Sequence, residues 1–115
     1  MIEATVRNYL MTALTSVSVY VDVPPEPPAC YVVIERTGGR EDEHIRNAML
    51  AIQSYGDSMY DAAALHEDVI KAMKSLITLD CISACGLSAE YNFTDRDTKR
   101  FRYQAVFDIT YYTEE

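Results

Sequence analysis

The side chains best suited to chemistry in this chain are three thiols and two imidazoles, namely Cys30, Cys81, Cys85, His44 and His66. Such groups can bind metals or act as nucleophiles. Cys81 and Cys85 are separated by three residues, and not by two as in the C-x-x-C motif of zinc and redox sites. An odd number of thiols also argues against a disulfide framework. We therefore expect reduced, buried thiols, no metal site and no cofactor.

Carboxylates and glycines give no catalytic arrangement either. The sequence contains no G-x-S-x-G, H-E-x-x-H or G-x-G-x-x-G motif. Asp57, Asp61, Glu67 and Asp68 cluster around the start of a predicted helix, where the helix dipole favours negative charge. The glycine pair at 38–39 lacks the Lys-Ser/Thr and the following helix of a phosphate-binding loop. We expect no catalytic residues and no enzymatic activity.

Composition predicts one globular domain spanning residues 1–115. Hydrophobic residues make up 49% of the chain and charged residues 24%, which is typical of folded proteins. The sequence opens on a helical pattern without a basic leader, and no window approaches the roughly 20 apolar residues of a membrane span. These features predict a cytoplasmic protein.

Charge argues against binding to the outside of a nucleic acid, because the net charge is −8 and such affinity comes from neutralising phosphates. One basic cluster, in a predicted solvated turn, contains Arg96, Lys99, Arg100 and Arg102. An acidic surface repels DNA, which suits a channel through which DNA passes without adhering.

Hydrophobic periodicity predicts an α+β fold. Val19, Val21 and Val23 alternate as in a half-buried strand, whereas Leu65 and Val69 belong to a helical apolar stripe. Helices are predicted at 2–15 and 58–77, and strands at 16–23, 30–36, 44–53, 82–93 and 102–112. Short connections favour a mainly antiparallel sheet of four to five strands, with both helices on one face and the order α-β-β-β-α-β-β.

Two segments are predicted to lie outside the core. The first is a stiff proline segment between strands, which could also be a proline-rich ligand for another protein, formed by Pro24, Pro25, Glu26, Pro27 and Pro28. The second is a solvated loop after the second strand, which includes Gly38, Gly39, Arg40, Glu41, Asp42 and Glu43.

Aromatic composition indicates an assembling surface. The chain has nine tyrosines and no tryptophan, and tyrosine suits surfaces that are wet in the free subunit and buried in the assembly. The candidates are Tyr55, Tyr60, Tyr111 and Tyr112, although ordinary core use is the alternative for each.

The whole pattern resembles the small tail-terminator and tail-completion proteins of long-tailed bacteriophages and prophages. The matching features are an N-terminal helix at 2–14, a proline-bearing segment before Cys30-Tyr-Val-Val-Ile34, a strand ending in Ala51-Ile-Gln-Ser-Tyr-Gly, an alanine-rich helix at 61–76 and a terminal Phe107-Asp-Ile-Thr-Tyr-Tyr strand. The chain departs from that pattern at Tyr55, where a tryptophan often follows the third strand.

The resemblance implies a structural neck protein of the virion. It implies a cyclic homo-oligomer, most commonly a hexamer, that terminates or completes the tail tube and joins it to the head connector. The tube and connector proteins would be its partners, DNA would be only cargo in the channel, no membrane would be involved, and assembly would occur in the bacterial cytoplasm. The proline segment and the loop at 38–43 are our hypothesis for the subunit interface. The alternative is a small cytoplasmic α+β module that binds a ligand or regulates another protein.

Overall fold

Two helices and five strands make up the fold. The computed structural model describes residues 1–42 and 45–112, with Asp42 described by its backbone only. In chain order the elements are α1 (Ile2–Ala13), β1 (Ser18–Tyr20), β2 (Tyr31–Asp42), β3 (Ile45–Gly56), α2 (Met59–Met73), β4 (Ile82–Asn92) and β5 (Phe101–Tyr112). A single turn of 3₁₀ helix, Leu76–Thr78, follows α2.

The strands form one sheet in the order β1-β2-β3-β5-β4. The predicted α+β class, with a mainly antiparallel sheet and two helices, is confirmed. One pairing differs from the prediction, because β1 runs parallel to β2 and the sheet is therefore mixed. Two parallel strands need a long connection between them, since the chain must return to the end of the sheet at which the first strand began. Residues 21–30, which contain the proline segment, supply that return.

The predicted loop after the second strand is wrong. β2 continues to Asp42 and pairs with β3 from Gly38↔Met49 to Asp42↔Ile45, after a bulge at Thr37. Backbone hydrogen bonds to β3 hold these polar residues in the sheet, although the side chains described there are exposed. We call residues 38–42 the arm. Glu43 and His44 lie outside the described residues.

Helix α2 shows how the core forms. Ser58 caps it, with its hydroxyl accepting a hydrogen bond from the Asp61 backbone N–H at 3.0 Å, which satisfies a free amide of the first turn. Its buried stripe packs with α1 on one face of the sheet. The buried side chains of that core include Val6, Leu10, Leu50, Ile52, Leu65, Val69, Met73, Phe107 and Ile109.

The long strands give the molecule its shape. It measures 43 × 26 × 25 Å, and a 12-residue strand such as β2 spans about 40 Å at ~3.4 Å per residue. Within residues 1–42 and 45–112, no helix combines the length and apolarity required to span a membrane.

Candidate interaction surface on the helix-free sheet face

The sheet face opposite the helices carries a continuous band of aromatic and polar side chains. Along β2, Val32 and Ile34 point into the core, so Tyr31 and Val33 point to the helix-free face. The same alternation places side chains from all five strands in this band. We call it the aromatic belt, and its members are Tyr20, Gln53, Tyr31, Tyr55, Tyr91, Phe93, Arg102 and Gln104.

Stacked rings form one half of the belt. The Tyr31 and Tyr55 rings are parallel within 6°, with centroids 4.4 Å apart, and Tyr20 packs edge-on against Tyr31 at 6.2 Å. Burial raises the pKa of the Tyr31 phenol above its usual value, and the neighbouring Tyr55 raises it further. The Tyr31 phenol therefore stays neutral at physiological pH.

Arg102 links the stacked rings to the β4 side of the belt. Its Nη1 donates to the Tyr55 hydroxyl at 3.0 Å, and its guanidinium carbon lies 4.3 Å from the centre of the Phe93 ring. Its Nε also donates to the Phe93 carbonyl oxygen at 2.6 Å. A planar cation held this way stiffens the belt across β3, β5 and the end of β4.

Paired amides complete the belt. Gln53 Nε2 donates to Gln104 Oε1 at 2.8 Å, while the Tyr55 hydroxyl donates to Gln53 Oε1 at 3.2 Å. Gln104 Nε2 in turn donates to the Tyr91 hydroxyl oxygen. These hydrogen bonds link side chains of β3, β4 and β5 across the helix-free face.

The structure does not bring the two predicted interface segments together. The proline segment lies where β2 begins, and its Pro27 and Pro28 help to line a cleft of about 270 Å³ with Tyr31, Lys99 and Arg100. Within that segment Pro25, Glu26 and Pro28 are exposed, and Pro24 and Pro27 are half-buried. The arm is at the other end of β2, where Gly38, Gly39, Arg40 and Glu41 are exposed. The two segments can therefore contact different neighbours.

One cluster has the composition of a metal site, formed by His66, Glu67 and Glu90. His66 is buried, and its Nε2 lies 2.8 Å from Glu90 Oε1. Its Nδ1 has no hydrogen-bond partner in the described part of the chain. A metal on Nε2 would force the proton onto this buried nitrogen, which is costly. The geometry fits a hydrogen bond between His66 Nε2 and Glu90 Oε1 that ties α2 to β4.

The three thiols are half-buried and pack against the core under the helices. Burial, with a smaller contribution from the Asp108 carboxylate, raises the pKa of the Cys85 thiol to about 11. A thiol that resists ionisation is a poor nucleophile and a poor metal ligand. Cys85 therefore behaves as a packed apolar side chain.

Sequence reasoning identified part of the belt. It singled out Tyr55, and the structure places that residue at the belt's centre. It also singled out Tyr111, which is buried in the core instead, and Tyr60, which is 80% exposed on α2. The missed signal was the strand alternation, because Tyr31 and Tyr55 occupy non-core positions that face each other across β2 and β3.

Comparison with known proteins establishes the fold. No protein-family model matches the chain, and no curated protein matches it. Among solved structures, the chain is similar to one from the "Virion of native gene transfer agent (GTA) particle", with a TM-score of 0.69 and 18% sequence identity. The match covers 96% of this chain and 94% of that one. The two chains therefore share one fold over nearly their whole lengths.

Proposed function

We propose that the protein is a structural, non-enzymatic component of a phage-like virion, in which it forms a ring at the head–tail neck. The observation that carries this proposal is the fold shared with a chain of a gene transfer agent virion over 96% of this chain. The resemblance in sequence pattern to tail-terminator and tail-completion proteins supports the finer assignment. The ring, a hexamer, would close the tail tube and join it to the head connector.

The edges of the sheet support self-association. β4 is the last strand of the sheet, and its sequence, ISACGLSAEYN, contains no lysine, arginine or proline. Natural proteins usually protect an edge strand with such residues. The one carboxylate of β4, Glu90, is hydrogen-bonded to His66. Two bulges interrupt the pairing of β4 with β5. An edge this weakly protected fits a strand that another subunit covers.

A head-to-tail arrangement suits this shape. The arm and the proline segment lie at opposite ends of β2, where Tyr31 and Arg40 are about 30 Å apart along the strand at ~3.4 Å per residue. Each subunit can therefore present one segment to the preceding neighbour and the other to the next. Repeated contacts of this kind close into a ring when the rotation allows it. The net charge of −8 keeps passing DNA from adhering to such a ring.

Size measurement tests the proposal. Light scattering on a sizing column, with electron microscopy of mixtures containing tail tubes, should show rings or capped tube ends. Ala89→Lys places a charge on the exposed β4 edge and should reduce ring formation about tenfold or more, because an unmatched charge in an interface costs several kcal/mol. Ala64→Lys adds the same charge on exposed α2 and should leave assembly unchanged. A protein that stays monomeric and leaves tube ends uncapped is not a neck ring.

A further inference from the structure

We infer that a cleft beside the N-terminus of α1 binds a carboxylate group carried by an acidic polypeptide segment. The cleft has a volume of about 430 Å³ and lies where the helix layer ends and the sheet projects beyond it. We call it the arginine cleft, and its principal walls are Ile2, Thr5, Arg36, Arg46, Tyr111 and Tyr112.

The Nε groups of Arg36 and Arg46 are poorly satisfied hydrogen-bond donors. Arg46 Nε is buried and has no hydrogen-bond partner among the described residues. Glu41 Oε1 lies 3.9 Å from Arg46 Nε, beyond hydrogen-bond distance. Arg36 Nε makes only a long contact of 3.5 Å to the Gly38 carbonyl oxygen. Two arginines thus line one cleft, and neither Nε makes a short hydrogen bond within the described residues.

Tyr111 supplies a third donor. Its side chain is buried, with a relative exposure of 7%, and it lines the cleft. Its hydroxyl finds no hydrogen-bond partner within residues 1–42 and 45–112. The guanidinium carbon of Arg46 lies 5.9 Å from the centre of the Tyr111 ring, so both groups border the same space. A buried hydroxyl without a partner is unfavourable, and an acceptor brought by a ligand would satisfy it.

The first turn of α1 contributes free backbone amides and the positive end of the helix dipole, beside the Glu3 carboxylate in the same turn. The helix is 12 residues long, and its N-cap position, Met1, provides no side-chain hydrogen bond to the free backbone N–H groups. Ile2 and Thr5 bring this turn to the wall of the cleft. Free amides and the helix dipole both favour an anion at that position.

The walls favour a peptide carboxylate over a nucleic-acid phosphate. Met1 and the half-exposed ring of Tyr112, which both line the cleft, offer apolar surface for a side chain next to the bound carboxylate. Glu41 at the rim, and the net charge of −8, oppose a polyanion such as DNA. A single carboxylate can take paired hydrogen bonds from an arginine with less repulsion.

Titration of the ¹⁵N-labelled protein with the capped peptide acetyl-Leu-Glu-Glu-amide tests the inference. We expect saturable shifts of the Arg46 Nε–H signal and of signals around Tyr111. Arg46→Gln should weaken binding about tenfold or more, because a hydrogen bond to a charged group is among the strongest that a side chain makes. Arg100→Gln removes an equivalent charge from the exposed turn before β5 and should leave the affinity unchanged.

Tyr111→Phe gives a second readout that does not depend on Arg46 variants folding. Removing a partnerless buried hydroxyl should keep or raise the melting temperature, while peptide binding falls roughly threefold to tenfold. Inorganic phosphate is the comparison probe. Absence of peptide shifts, equal loss in Arg100→Gln, or binding of phosphate without binding of peptide would overturn the inference. Each result is obtained on the isolated protein, whether or not rings form.

Discussion

At the scale of single residues, the same side-chain type has different roles on the two faces of the sheet. Tyr31 and Tyr55 stack on the helix-free face, within the hydrogen-bonded belt. Tyr111 lies in the core and lines the arginine cleft. The residue types alone could not distinguish these roles, since they follow from the alternation and pairing of β2, β3 and β5.

Thiol chemistry gives a prediction at this scale. In a Cys30→Ser/Cys81→Ser variant, the remaining Cys85 should react with iodoacetamide at pH 8 about 100-fold more slowly than free cysteine. The reason is its pKa of about 11, against an ordinary 9.0, since only the thiolate attacks. Reactivity measured again in denaturant serves as the control and should rise to the ordinary rate.

The same pKa makes stability depend on pH. Because the folded protein prefers the neutral thiol, this contribution is fully present below pH 9 and is lost as the pH rises towards 11. A Cys85→Ala variant should lack this part of the alkaline decline in melting temperature. Rapid labelling of Cys85 in the folded protein at pH 8 would contradict a raised pKa of this thiol.

At the scale of elements, the local periodicity of the sequence predicted where helices and strands lie, but not how all the strands pair. The stripe of Leu65, Val69 and Met73 located α2, and the alternation in 102–112 located β5 almost to the residue. The parallel β1–β2 pair could not be predicted, because nothing within residues 18–20 specifies which strand they pair with. The arm was missed because glycines and charges are typical of loops, whereas the hydrogen bonds of β3 hold it in the sheet.

Helix α2 provides the prediction for this scale. Leu65→Asp places an unpaired carboxylate in a position of 6% exposure within the core. We expect a loss of at least about 3 kcal/mol in the free energy of unfolding, which is enough to unfold a domain of marginal stability. Tyr60→Asp, at 80% exposure on the same helix, should change the melting temperature little. Circular dichroism during heating measures both, and a normal melting temperature for Leu65→Asp would contradict the packing of α2.

At the scale of the whole molecule, the helix side and the helix-free face of the sheet carry different side chains. Acidic groups such as Asp57, Asp61, Glu67 and Asp68 are exposed at or on α2, whereas the helix-free face carries the belt, which includes the cation of Arg102. The candidate surface could not be predicted as a unit, because its members come from five strands and meet only through the sheet order. Sequence composition indicated an assembling surface but not its location.

The arm provides the prediction for this scale. Gly38 is exposed, and a Cβ built there meets no atom within 4 Å, so a larger side chain fits the free subunit. Gly38→Val should leave the free energy of unfolding unchanged or raise it by up to about 1 kcal/mol, because valine favours strands and glycine weakens them. The melting temperature should therefore stay the same or rise slightly.

In the proposed ring, however, the larger side chain introduced by Gly38→Val would occupy space used by the neighbouring subunit. We expect this variant to form rings about tenfold less readily on light scattering, even though the free subunit is no less stable, because overpacking an interface is costly. Ala64→Val on exposed α2 is the matched control and should assemble normally. Rings that form equally well from Gly38→Val would remove the arm from the interface and leave the proline segment and the β4 edge as the contacts to test.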